Sequence, residues 1–237
     1  MANSLLIEDR LEIPLGLNSL ADFRAWALSD DFPEEGRIDY IRGRIEVDMS
    51  PEDLFCHGTP KSEIHYVVYG RVKRRNMGHV FLDCTRISSP LAELSAEPDL
   101  VFVSHRAIKT GRVRLVPKAT EEEGRFVEIE GAVDWIAEII SDSSEAKDKE
   151  RLPAAYFAAG VREFWLIDAR KRQLFFQIYH RGKAGFIAVR PDDDGSQRSK
   201  VFGCSYRLDR KKGQHGFWSY ELREKPSVPR RRQKGNS

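Results

Sequence analysis

Glu97-Pro98-Asp99-Leu100-Val101-Phe102-Val103 heads a stretch, running on to Arg151, whose reading decides the fold. Pro98 stands where a strand begins, a position at which a missing N–H does least harm. The apolar, β-prone run behind it predicts a buried strand with Asp99 at its mouth. A second apolar run, 132–140, predicts another strand. Its two-residue period puts Asp134, Ile136 and Glu138 on one face and Trp135, Ala137 and Ile139 on the other. If the two strands pair, Asp99 and Glu138 can share a face. A carboxylate among Ile136, Ile139 and Ile140 is costly to bury unpaired, so a cation is implied. That cation is either a lysine or arginine in a structural ion pair or a metal ion. Two carboxylates on neighbouring strands, with Lys147 and Lys149 close behind, suit Mg²⁺. This hard ion takes one or two protein carboxylates and leaves its other positions to water and phosphate oxygen.

Outward from this pair, Ser141-Asp142-Ser143-Ser144 is rich in capping residues, and Leu152, Ala155, Tyr156 and Ala159 form an apolar helical stripe closed by Gly160. Pro153 fits a first helical turn, so the helix starts near Leu152 and 145–151 form a turn or kinked segment. Strands are predicted at 163–167, 174–179, 186–189 and 201–208. A helix between two strands, followed by strands in quick succession, predicts a mixed sheet, parallel across the helix and antiparallel at its edge. Towards the N-terminus, Asn18 or Ser19 caps a helix ending near Ser29-Asp30. A half-buried hairpin over 38–49 turns at Arg42-Gly43. A loop over 50–61 leads into a helix over 62–75, then a strand over 80–87 and a polar loop at Ser88, Ser89 and Pro90. The excursion 104–131 is long enough to need a hairpin or helix of its own. One domain, 19–222, is expected between a poorly defined lead-in (1–18) and a basic, disordered tail (223–237).

The chain carries 39 Lys and Arg against 37 Asp and Glu, a net charge of +2, which by itself does not argue for nucleic acid. Acidic patches at Glu121-Glu122-Glu123 and Asp192-Asp193-Asp194 offset the basic run Arg230-Arg231-Arg232-Gln233-Lys234. Cys56, Cys84 and Cys204 are too few and too scattered for a disulfide framework or a zinc site, which fits a reducing cytoplasm. No leader pattern and no apolar run near the roughly 20 residues of a membrane span is present. A cytoplasmic protein without a membrane partner is expected. Arg71, Lys73, Arg74 and Arg75 close the 62–75 helix, where cations complement the macrodipole. Glu63 and His65, near its start, could face a cleft, although a solvated face is the commoner fate.

The ordered set Tyr40-Ile41-Arg42-Gly43-Arg44-Ile45, Met49-Ser50-Pro51, Pro98-Asp99-Leu100-Val101-Phe102-Val103, Ala137-Glu138-Ile139-Ile140-Ser141-Asp142-Ser143-Ser144 and Tyr156-Phe157-Ala158-Ala159-Gly160-Val161-Arg162-Glu163-Phe164-Trp165-Leu166-Ile167-Asp168 resembles the Uma-type endonuclease family. That family belongs to the restriction-endonuclease-like PD-(D/E)xK superfamily. The resemblance runs from about Ser19 to about Leu208. It implies an α/β, restriction-endonuclease-like fold whose central mixed sheet is flanked by helices. It also implies Mg²⁺-dependent phosphodiester cleavage, with Mn²⁺ as a substitute and nucleic acid, first of all DNA, as partner. Asp99 matches the motif aspartate and Glu138 the motif glutamate, and the backbone carbonyl of Ile139 is expected to complete the ligands.

Ile140 stands where the simplest motif has its lysine, and Leu152 aligns with the alternative lysine on the following helix. Lys147, Lys149 or Arg151 would have to substitute, with Lys149 or Lys147 orienting the attacking water. Glu63 is a further candidate ligand or base, and Arg71, Lys73, Arg74 and Arg75 are candidates for phosphate contacts that carry no sequence information. Nucleases that cut both strands often pair, so a homodimer is open. The missing lysine favours a competing expectation, an inactive or weak nuclease fold serving as a nucleic-acid-binding or regulatory module. A hydrolase of non-nucleic phosphoesters is a third.

Overall fold

A computed structural model describes residues 4–7, 11–118 and 123–226. In chain order its elements are β1 (Ser4–Ile7), β2 (Leu11–Pro14), α1 (Leu20–Ala27), β3 (Arg37–Ile41), β4 (Arg44–Asp48), α2 (Thr59–Arg75), β5 (Gly78–Leu82), β6 (Arg86–Ser89), β7 (Leu94–Ala96), β8 (Leu100–Ser104), α3 (His105–Lys109), β9 (Val113–Pro117), β10 (Phe126–Gly131), β11 (Trp135–Ile139), α4 (Leu152–Ala158), β12 (Glu163–Asp168), β13 (Phe175–Arg181), β14 (Phe186–Ala188), β15 (Gln197–Ser199), β16 (Cys204–Lys212) and β17 (Trp218–Pro226).

The central sheet has the order β14-β13-β12-β11-β8-β5. Only β11 and β12 are parallel within it, because α4 carries the chain back across the sheet between them. β12, β13 and β14 follow as antiparallel neighbours. The two-residue period sorts the side chains of these strands to opposite faces. On one face Leu100, Phe102, Trp135, Ala137 and Trp165 meet Ile64, Val68 and Val72 of α2. On the other, Val101, Val103, Ile136, Ile140 and Phe164 meet Leu152, Ala155 and Tyr156 of α4. The architecture is thus mixed α/β with helices on both faces of the central sheet. A second six-stranded sheet, β4-β3-β7-β6-β10-β9, and a three-stranded sheet, β15-β16-β17, complete the body. Among the described residues no helix is long and apolar enough to cross a membrane.

Local departures from the sequence expectations have physical causes. The lead-in forms the β1–β2 ribbon, and Leu11 and Ile13 bury against Phe23 and Trp26 of α1, in strands too short to show a period. Within the expected loop 50–61, the Asp53 carboxylate accepts from Phe55 N at 2.8 Å and Cys56 N at 2.6 Å. It thereby starts a π-helical turn, Leu54–Gly58, that runs straight into α2. Pro60 lies in the first turn of α2, where its missing N–H leaves nothing unsatisfied. The expected strand 80–87 divides at Cys84, whose φ of 58° turns the chain from the central sheet into the second one. Ser88 and Ser89 therefore belong to β6 rather than to a loop. The excursion after β8 holds α3 and the β9–β10 hairpin. β17 pairs along β16 to Pro226, so ordered chain continues past position 222. Positions 227–237, with the basic run 230–234, lie outside the described residues.

Gly78 shows how tightly the edge strand is seated. It opens β5 at φ +153°, and a Cβ there would stand 2.1 Å from Val103 O and 2.7 Å from Ser104 Cα. Both obstacles are backbone of β8, so Gly78→Ala must push β5 off its neighbour. A loss of about 2–3 kcal/mol is expected in urea denaturation. An unchanged midpoint would contradict the close approach.

Candidate active site

The antiparallel register of β8 and β11 sets Val101 against Ile136 and Leu100 against Ala137. One step further it brings Asp99 opposite Glu138. Asp99 N donates to Glu138 Oε2 at 3.3 Å, and Ile139 N donates to Asp99 Oδ2 at 2.7 Å. Because N–H and C=O of one strand residue face the same edge, the Ile139 carbonyl also looks towards the Asp99 side. From α4 the Tyr156 hydroxyl donates to Glu138 Oε1. Both carboxylates are buried, Asp99 with 0% and Glu138 with 1% of its surface exposed.

The pair holds its charge unevenly. Burial, then the adjacent Asp99 charge and Asp148, push the Glu138 carboxyl well above the usual range. Burial acts on Asp99 in the same direction but is overcome by Arg37, His57 and Lys61, which hold it well below. One negative charge is therefore firmly held and its neighbour is held reluctantly, as two close carboxylates dictate.

The cations around Asp99 come from the N-terminal third of the chain. Arg37 Nη2 is 2.9 Å from Asp99 Oδ1, His57 Nε2 3.4 Å from Oδ2, and Lys61 Nζ 3.9 Å from Oδ1. Lys61, in the first turn of α2, is buried and also binds Glu52 at 2.6 and 2.7 Å and Asp83 at 2.9 Å. His57 Nδ1 is 3.2 Å from Glu52 Oε2. Ligand atoms of Glu52, His57 and Asp99 lie within 4.8 Å of one another. A cavity of about 210 Å³, lined by Arg37, Glu52, His57, Asp83 and Ser141 among others, opens in front of this shell. Asp99 lies behind Arg37 and His57.

Of the residues expected from sequence, only Asp99, Glu138 and Ile139 are brought together. The segment Lys147–Arg151 winds as a π-helical turn that buries Lys147 and Asp148 and turns Lys149 outward. Lys147 Nζ binds Asp39 at 2.9 Å, a carboxylate that also accepts from Glu97 N, and touches neither member of the pair. Burial lifts Asp148 to about 6 against its bond from Ser144. Lys149 is bound to Glu145 at 2.5 Å and lies 3.8 Å from Asp168. Arg151 grips Glu46 at 2.6 and 2.9 Å.

Glu63 does not reach the pair either: it accepts from Leu222 N at 2.8 Å and anchors β17 to α2. Arg71 serves the same junction through Phe202 O and Glu224. Lys73, Arg74 and Arg75 are exposed. At about 1.5 Å per residue, Arg75 is roughly 21 Å along the helix from Lys61. Arg37, Glu52, His57 and Lys61 escaped the sequence reading, although Met49-Ser50-Pro51 leads directly into Glu52.

The fold has a solved counterpart. A crystal structure described as that of a putative nuclease belonging to DUF820 from Anabaena variabilis ATCC 29413 superposes with a TM-score of 0.57 at 20% identity, covering 78% of this chain and 90% of that one. At that identity the likeness concerns the fold. No curated protein matches the chain. The family model "Uma2: Putative restriction endonuclease" matches residues 20–208, from the start of α1 into β16, a span that includes Asp99, Glu138 and their cation shell. The chain belongs to this nuclease family.

Proposed function

We propose that this chain is a divalent-metal-dependent endonuclease that hydrolyses nucleic-acid phosphodiester bonds, DNA first, with Asp99 and Glu138 as the metal-holding pair. One observation carries the proposal: two fully buried carboxylates face each other in register, and burial together with the Asp99 charge raises the Glu138 carboxyl well above its usual range. A divalent cation is the partner that lets both ionise. Their hard oxygens, with the Ile139 carbonyl on the same edge, suit Mg²⁺ or Mn²⁺. Such an ion polarises the scissile phosphate and lowers the pKa of bound water.

The remaining roles fall to the residues around Asp99. Lys61 takes the part expected of Lys147 or Lys149, offsetting charge that builds on the phosphate. Arg37, on the cavity side of Asp99, presents a guanidinium fork that matches two phosphate oxygens. His57, between Glu52 and Asp99, holds the wall of the cavity. One observation favours the binding or regulatory alternative: Asp99 already accepts from Arg37 and Ile139 N, with His57 close by.

Two measurements separate these. In single-turnover cleavage of DNA with Mg²⁺, Lys61→Ala is expected to lose activity on the order of 10²-fold. A loss of that size in Lys149→Ala, with Lys61→Ala unaffected, would return the role to Lys149. In thermal melts, Mn²⁺ or Mg²⁺ should raise the Tm of the wild type and leave that of Glu138→Gln unchanged. In EDTA the Glu138→Gln variant should keep a Tm close to that of wild type, because a neutral side chain of similar volume replaces a carboxyl whose charged form burial and Asp99 disfavour. Equal metal-induced shifts in both proteins would remove the carboxylate pair from the metal site.

A further inference from the structure

A second concavity, of about 470 Å³, opens on the Tyr156 face of the central sheet, within the 300–1,000 Å³ typical of ligand sites. Phe157 of α4, Phe164 of β12, Tyr179 of β13 and Phe186 of β14 wall it, and Arg42 and Lys149 stand at its rim. The rings are braced against one another: Phe164 stacks on Tyr179 with centroids 5.9 Å apart, and Phe186 lies 5.7 Å from both Phe157 and Phe164. Phe157, Tyr179 and Phe186 are only partly buried; Phe157 carries the Arg181 guanidinium 4.1 Å from its centroid, which leaves Tyr179 and Phe186 as the open aromatic surface.

Lys149 at the rim is paired with Glu145, but Arg42 and the Tyr179 hydroxyl are not used up by the fold. Arg42 forms no ion pair among the described residues, and its one side-chain hydrogen bond, to Ala154 O, is 3.5 Å long. It also occupies a turn position at φ 49°, which asparagine or glycine would fill at least cost. The Tyr179 hydroxyl makes no hydrogen bond among the described residues. An unpaired guanidinium and a free hydroxyl above an aromatic box suit a flat ring that carries an anion.

The place of this concavity in the fold links it to the carboxylate pair. Its floor residue Leu166 is the register partner of Glu138 on the adjacent strand, and α4 supplies both its wall and Tyr156, the donor to Glu138. The β3–β4 hairpin connects the two openings: Arg37 and Asp48 line the cavity before Asp99, and Arg42 is at the turn. Five residues at about 3.4 Å each put the openings roughly 17 Å apart. A single strand can span that distance with a few nucleotides.

We infer that this aromatic concavity binds an unpaired nucleobase with its phosphate, and that the base belongs to the nucleic-acid strand lying in the active site. The inference rests on the nuclease proposal for the strand as source, and on the concavity alone for the ligand class. Stacking of a base on aromatic rings tolerates any sequence. Arg42 meets the phosphate, and Lys149, shared with Glu145, adds to the positive rim.

The test uses the full chain in EDTA, so that binding is read without cleavage. The probes are a single-stranded oligonucleotide bearing 2-aminopurine, the same strand with an abasic site in its place, a 2-aminopurine mononucleotide and inorganic phosphate. Saturable quenching of the strand's 2-aminopurine is expected, with the abasic strand bound about tenfold more weakly. Phe186→Ala, on the edge hairpin, and Arg42→Asn, which suits the turn, should each weaken the 2-aminopurine strand by a similar factor. Equal affinity for intact and abasic strands would overturn the base pocket, even if either variant failed to fold. A mononucleotide bound as tightly as the strand would overturn the strand as source, and phosphate bound as tightly as the mononucleotide would overturn the ring. Base-dependent binding without any Mg²⁺-dependent cleavage would sink the nuclease proposal and leave the pocket. Cleavage with no base dependence would sink the pocket alone.

Discussion

Asp99→Asn is expected to lower Mg²⁺-dependent cleavage by at least about 10³-fold while the protein remains folded. The size follows from what a metal-held oxygen supplies: about 4 kcal/mol of stabilisation as charge develops on the phosphate, at roughly 1.4 kcal/mol per factor of ten. Asparagine matches aspartate in volume and keeps an oxygen for Ile139 N, whose 2.7 Å bond fixes the side chain against β11. It cannot supply the charge that Arg37, His57 and Lys61 surround. Alanine at the same position is a harsher change, because three cationic side chains lose their common counter-charge. Removing one partner of a buried ion pair costs about 3–5 kcal/mol. The readout is single-turnover cleavage of plasmid and single-stranded DNA, with circular dichroism as the check on folding. Cleavage by Asp99→Asn at wild-type rate would exclude Asp99 from the chemistry and leave the binding or regulatory role as the better account.

The carboxylate pair was legible because it rests on strand periodicity. Pro98 marks where β8 starts, the two-residue period assigns Glu138 to one face, and pairing of the two apolar runs then needs no more than a register. The parallel step across α4 was legible for the same kind of reason, since a helix between two strands leaves little choice. The cation shell was not legible. Arg37 begins a hairpin, Glu52 and His57 lie in a segment that looks like a loop, and Lys61 reads as a charge beside a helix-opening proline. Nothing local in these residues points to Asp99, some 40 to 60 positions away. Only packing brings them there, when α2 covers one face of the central sheet and β3 joins the second one. Lys147 and Lys149 misled for a related reason. Short sequence distance from Glu138 promised proximity, but a π-helical turn rotates one inward onto Asp39 and the other outward to Glu145. The strands β6 and β7 were obscured by their serines and by a turn at Cys84 that no glycine announces.

Glu163→Ala should destabilise the protein as much as Asp99→Ala, although Glu163 belongs to no site. It is as buried as Asp99, at 0% exposure. Its Oε1 accepts from Trp165 Nε1 at 2.9 Å and Ser199 Oγ at 2.6 Å, and its Oε2 from Lys200 N at 2.7 Å and Val201 N at 3.2 Å. His180 Nε2 lies 3.4 Å away. One carboxylate thus fastens the first residue of β12 to the turn that opens the three-stranded sheet. Alanine leaves four donors unpaired in a buried place, for a loss of about 3–5 kcal/mol. At roughly 2–4 °C per kcal/mol for a domain of this size, the Tm should fall by about 10 °C. Glu163→Gln keeps an acceptor and should lose less than half as much. Because Glu163 pairs in register with Trp135, at the far end of β11 from Ile139, the rise in Tm on adding Mg²⁺ should survive in Glu163→Gln. A lost metal response there, or a melt of Glu163→Ala indistinguishable from wild type, would refute the assignment. Glu163 has donors around both oxygens and no carboxylate in its contacts, so its charge is already provided for. Glu138 has one hydroxyl, one backbone N–H and a second carboxylate beside it, and that deficit is what a divalent cation would fill.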